Sequence, residues 1–112
     1  MIIHERSEAG VTFLRPETDQ IDLAKAGELK ARLSEHISRG NRVLALNLSQ
    51  VEFMDSSGLG VLISALRQLE CKGELLLCGV QEGVVGLLRI TSLVRIFSLY
   101  RTEEELLAAR PD

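Results

Sequence analysis

Apolar residues in this chain fall into two rhythms, short continuous or alternating runs and longer stretches spaced by three and four. Ile2 to Arg6 and Val11 to Leu14 are β-prone runs around Ser7-Glu8-Ala9-Gly10, which reads as a hairpin with a glycine turn. Arg15 to Gln20 is polar and turn-rich, a loop. Leu23, Ala26, Leu29, Lys30, Leu33 and Ile37 then outline one face of a helix. Asp22 caps its start, and Gly40-Asn41 stops it after about Arg39. Val43 to Leu48 is a nearly unbroken apolar run, suited to a strand buried on both faces. After a polar break and Phe53-Met54 comes Asp55-Ser56-Ser57-Gly58. Leu59, Leu62, Ile63, Leu66 and Leu69 then recur at helical spacing, predicting a helix from about Ser57 to Cys71.

The alternation continues to the end of the chain. Lys72-Gly73 turns into a strand over Glu74 to Val80, whose Leu75-Leu76-Leu77-Cys78 core again suits burial on both faces. Gln81-Glu82-Gly83 opens a shorter helix through Leu88 and Arg89 that ends near Thr91-Ser92, and Val94 to Leu99 predicts a last strand. Thr102 with Glu103, Glu104 and Glu105 starts a final helix by capping and dipole logic, and Pro111 closes the chain. The order is β-β-α-β-α-β-α-β-α, an α/β fold. Strands alternating with helices imply mostly parallel pairing with right-handed crossovers, and the opening hairpin adds one antiparallel pair, so the sheet is expected to be mixed with about four helices around it. Residues 1–112 hold no linker, repeat or low-complexity segment and read as one domain.

In such sheets ligands favour the loops leaving the carboxyl ends of strands, and Asp55-Ser56-Ser57-Gly58 lies after such an end. Two uses of these residues stand side by side. Asp and Ser before an apolar helix accept from its unpaired N–H groups and cap it. A serine hydroxyl at that rim also takes a phosphate well, because the helix N-terminus favours negative charge. Asp55 would repel that phosphate, so modification should alter a binding surface more than it stabilises the domain.

Composition narrows the field. The charged fraction is 26%, the net charge is −3, and no Lys/Arg-rich run occurs, which argues against a nucleic-acid backbone as partner. Trp is absent and Tyr occurs once, so a base-stacking platform is not expected. No apolar stretch approaches a membrane span and no signal-peptide pattern opens the chain, which predicts a cytoplasmic protein. Cys71 and Cys78 match no common zinc spacing and read as reduced structural thiols. A serine hydrolase needs a base beside its nucleophile; the two histidines, His4 on the first strand and His36 on the exposed-looking side of a helix, sit in no strand-end loop. Neither phosphate-binding glycine motif occurs, and Gly58-Leu59-Gly60 suits close helix packing instead. Glu103 to Glu105 read as a solvated first turn. Neither metal nor cofactor is expected, and the chain is not expected to be an enzyme.

Leu46-Asn47-Leu48, Val51 and Phe53-Met54-Asp55-Ser56-Ser57-Gly58-Leu59-Gly60-Val61-Leu62 closely resemble the signature of STAS-domain anti-sigma factor antagonists, and the order of elements matches that family from end to end. The resemblance implies a STAS-like fold and a partner switch. The unphosphorylated protein would bind a GHKL-type serine-kinase anti-sigma factor and free a sigma factor. The kinase would then phosphorylate Ser56, and a PP2C-type phosphatase would reverse this. By position, Asp22, Asp55, Ser56, Ser57 and Gly58 would meet the partner, with Asp55 shaping the loop, Ser57 capping or supporting the site, and Asn47 fixing a loop by hydrogen bonding. Two positions depart from the family pattern: Asp19 and Ser92 stand where glycine is usual. The other reading within this fold is a scaffold or regulatory subunit of a stressosome-like or ABC transporter complex. A small nucleotide-binding or hydrolytic enzyme is the reading from another class.

Overall fold

The structure, a computed structural model, describes residues 1–70 and 72–110. Strands β1 (Ile2–Glu8) and β2 (Val11–Glu17) form the opening hairpin, in register from Ile2 opposite Glu17 to Glu8 opposite Val11. Its two-residue turn has positive φ at both Ala9 (52°) and Gly10 (80°), the geometry that matches the twist of paired strands. A short strand β3 (Gln20–Ile21) leads into helix α1 (Leu23–Ser38). Strand β4 (Val43–Asn47), short strand β5 (Phe53–Met54) and helix α2 (Ser56–Leu69) follow. Strand β6 (Glu74–Cys78), helix α3 (Glu82–Ile90), strand β7 (Ser98–Tyr100) and helix α4 (Glu103–Ala108) complete the described chain.

The main sheet is five-stranded in the order β1-β2-β4-β6-β7, antiparallel only between β1 and β2. β4 lies at its centre, as its run of apolar residues requires. Strand alternation divides the core. Leu14, Leu44, Leu46, Leu75 and Leu77 point to one face and join Leu29, Leu33, Leu62, Ala65, Val84 and Leu88 from α1, α2 and α3. Val11, Phe13, Ala45, Leu76 and Cys78 point to the other, where Leu106 of α4 joins them. Three helices thus cover one face, and the six-residue α4 packs on the opposite one.

Several sequence expectations need correction. Arg15 to Gln20 is not a loop throughout: β2 runs on to Glu17, and Gln20–Ile21 form β3. Pairing of β2 with β4 stops at Leu14, so Pro16 lies where the strand has a neighbour on one side only and the missing N–H is tolerated. Val94 to Leu99 is not one strand; Leu93–Arg95 form a 3-10 turn and pairing with β6 begins only at Ser98. Ser92, which starts that turn, holds φ 62°. Leu23, expected on the buried face of α1, is exposed, whereas His36 is buried. The Asn41 amide donates to His36 Nδ1 (3.1 Å), leaving Nε2–H to donate to Glu5 Oε1 (3.1 Å), and Arg32 donates to the other carboxylate oxygen at 2.6 Å. A partner on β1 made that burial possible, and helical spacing cannot show it. Glu103 is likewise no solvated residue: its side chain is 17% exposed and bound by Arg6 and Asn47. The expectations for Cys71 and Pro111 lie outside the described residues.

Candidate functional site

β3 and β5 form a separate two-stranded parallel sheet, pairing Gln20 with Phe53 and Ile21 with Met54. One residue after each strand is a helix cap, Asp22 for α1 and Asp55 for α2, and the two share nearly one backbone conformation (φ −99°, ψ −172° and −170°). The register therefore sets two helix N-termini abreast on one rim. Backbone bonds hold it: the Glu52 and Phe53 N–H groups donate to the Asp19 carbonyl (2.7 and 3.1 Å), and the Asp55 N–H donates to that of Ile21 (3.4 Å).

The caps are carboxylates, not serines. Asp22 Oδ1 accepts from the Lys25 N–H at 3.2 Å, and Asp55 Oδ1 accepts from Ser57 and Gly58 at 2.8 and 3.3 Å. Ser57, by resemblance a cap or support of the site, is the second residue of α2, and its N–H is what Asp55 caps. Ser56 is the first residue of the helix and exposed. Gly58 is buried beneath the rim. A Cβ there would fall on Met54 Cγ and lie 2.9 Å from Met54 Sδ, so glycine lets the first turn of α2 settle on β5. Gly60, by contrast, faces open space.

Beside this rim runs a groove of about 290 Å³ between α1 and α2, lined by Leu23, Ala26, Gly27, Lys30, Ser57, Gly60 and Val61. Leu23 is 77% exposed and Phe53 57%. Sequence reasoning missed both as surface residues. Phe53 alternates with buried Met54 on a strand of two residues, too short to show a period, and Leu23 fits the apolar spacing of α1 by coincidence of its first turn. Asp19, Glu52, Asp22 and Asp55 make the rim acidic, and among the described residues none of the four forms an ion pair.

The loop that delivers the site is pinned along its length. Asn47 Oδ1 accepts from the Ser49 N–H (2.9 Å), while Asn47 Nδ2 donates to Glu103 Oε2 (2.8 Å). Gln81 Nε2 donates to the Ser49 carbonyl (2.7 Å), and a Cβ on Gly83 would stand 2.6 Å from the Glu52 carbonyl, so α3 closes tightly on the loop. Asn47 is thus the loop-fixing residue expected of it. Cys78 on β6 is buried, and burial, with Glu103 and Glu104 adding to it, pushes its thiol up to about 12, which disfavours the thiolate.

The chemistry of the rim follows from who is there. His4 of β1 is engaged with Glu17 of β2 and His36 with Glu5 and Asn41, so neither histidine stands beside Ser56 as a base. An exposed hydroxyl without its own base is a poor nucleophile but an accessible acceptor for a group transferred by another protein.

Comparison with known proteins agrees with this architecture. The model of the STAS domain matches residues 6–106. The anti-sigma-B factor antagonist of Listeria monocytogenes is 32% identical over 99 residues, covering 80% of this chain and 87% of that protein. Among solved structures, an anti-sigma factor antagonist from Mycobacterium paratuberculosis superimposes with a TM-score of 0.88 at 23% identity, over 99% of this chain and 94% of that one. The Bacillus cell fate determinant SpoIIAA in its phosphorylated form gives a TM-score of 0.74 at 22% identity, over 96% and 97%. These two likenesses are of fold.

Proposed function

This chain belongs to the STAS-domain family of anti-sigma factor antagonists, and from that premise we propose that it is a partner-switching module built on the rim of α1 and α2. Its unphosphorylated form binds a GHKL-type serine-kinase anti-sigma factor through Asp22, Asp55, Ser56 and Ser57, and so releases a sigma factor. Gly58 serves that surface from below. The kinase transfers a phosphoryl group from ATP to Ser56, which ends binding, and a PP2C-type phosphatase restores the hydroxyl. The protein works by binding and not by catalysis, with residues 1–112 acting as one STAS domain.

The observation that carries this reading is the β3–β5 register, which brings Asp22 and exposed Ser56 to one rim although they are far apart in sequence. Asp55 already holds the N–H groups of Ser57 and Gly58. A phosphate on Ser56 therefore finds few free donors and adds about −1.5 to −2 charges to an acidic surface, which alters docking more than folding. The fold itself tolerates a phosphate, as the phosphorylated SpoIIAA structure supports by likeness.

The test is intact-mass spectrometry after incubation with ATP-Mg and each GHKL-type kinase of the same genome. Wild type is expected to gain one phosphate, Ser57→Ala to gain it too, and Ser56→Ala to gain none. A phosphate lost only in Ser57→Ala would move the site by one residue. No phosphate with any kinase would overturn the switch and favour a scaffold role.

A further inference from the structure

We propose that Leu23 and Phe53 form an apolar dock beside Ser56 for an apolar side chain of the kinase, and that phosphorylation ends binding by making this dock too costly to dehydrate, not by repelling like charge. This rests on the partner-switching reading and specifies how its site works.

Leu23 and Phe53 are two of the large apolar side chains the fold leaves most exposed, at 77% and 57%. Both sit at this rim: Leu23 opens α1, and Phe53 precedes Ser56 by three residues. Neither is needed by the core. Leu23 also walls the α1–α2 groove, where Gly27 and Gly60 leave open space that a Cβ would occupy. The surround is acidic on balance: Asp19, Asp22, Glu52 and Asp55 form no ion pair among the described residues, against Lys25 in the first turn of α1 and Lys30 on the groove wall. An apolar centre within a charged rim is the anatomy of a specific protein interface, and by charge complementarity its occupant presents an apolar side chain ringed by lysine or arginine.

That complementarity decides between two mechanisms of switching. A partner with a basic ring is attracted by a phosphate, so charge alone would tighten the complex. Release must then come from the centre, where a phosphate dianion seated beside Leu23 and Phe53 would have to shed its water against an apolar surface.

The experiment takes the kinase that modifies Ser56 and measures its affinity, by isothermal titration with ADP-Mg, for wild type, Leu23→Ser, Phe53→Ser and wild type phosphorylated on Ser56. Each serine variant is expected to bind about tenfold more weakly, with an unchanged melting temperature because both residues are exposed. The affinity of the phosphorylated protein relative to that of the unphosphorylated one at the same salt should not recover when NaCl is raised from about 0.05 to about 0.5 M, a range that screens exposed charges. Wild-type affinity in both serine variants, with Ser56 still phosphorylated, would overturn this dock alone. Recovery of that ratio in salt would restore repulsion as the cause. Absence of any kinase that modifies Ser56 would overturn the dock and the switch together.

Discussion

Ser92 and Asp19 show how differently two departures from one sequence pattern act. Both stand where the resemblance places glycine. Ser92 holds φ 62°, a left-handed conformation that costs an L-residue roughly 1 kcal/mol or more, and its side chain makes no capping hydrogen bond there. Ser92→Gly should therefore raise stability by about 0.5–1 kcal/mol after glycine's own entropy cost, seen as a higher urea midpoint with unchanged slope. A lower midpoint would mean that the serine hydroxyl contributes more than its geometry suggests. Asp19 is outside the left-handed region, and its structural contribution is its carbonyl, which any residue supplies. What the aspartate adds is charge at the rim. The residue scale thus separates a position that bears on folding from one that bears on the charge of the rim.

Between elements, the contact that matters most for the site is α2 on β5 through Gly58. Alanine there improves helix propensity by about 1 kcal/mol, but its Cβ would intrude on Met54, and overpacking of this kind costs typically 1–3 kcal/mol. Gly58→Ala is expected to lose roughly 1 kcal/mol net in urea unfolding; a gain would show that Met54 turns aside freely. The elements differed in how plainly the sequence announced them. The caps Asp22 and Thr102, the central strand and the faces of α2 were legible because apolar spacing and cap chemistry are local signals. β3 and β5 were not, since two residues carry no period and their pairing joins positions 33 apart in the chain. The tail of β2 hid behind Pro16, whose tolerance depends on which side of the strand has a neighbour. Serines in a cap-like run concealed that Asp55 does the capping. In the candidate site the polar residues were readable one by one, but their convergence, and the exposure of Leu23 and Phe53, belong to tertiary structure.

At the scale of the whole molecule, β1 is tied to both layers. Arg32 and His36 bind it to α1 through Glu5, while Arg6 reaches Glu103 of α4 across the other face. Burial pushes the Glu5 carboxyl up, but hydrogen bonds from Arg32 and His36 outweigh it and hold the group below its ordinary 4.5. A carboxylate depressed on folding contributes stability above its unfolded value, and that stability is lost as pH falls through its folded one. Glu5→Gln should accordingly melt lower than wild type at pH 7, with the gap closing as pH drops below 4.5; a gap independent of pH would assign the loss to packing. The rim has a different kind of independence. Its geometry is fixed by backbone bonds from Asp19 and Ile21 to the chain around β5, so Leu23 carries no duty in folding. Gene duplicates of such a protein are then free to diverge at that position without first becoming unstable. If Leu23 meets the partner as proposed, a cell housing several copies can insulate each pathway from its neighbours by changing that one side chain, and crosstalk becomes a matter selection settles at the surface alone.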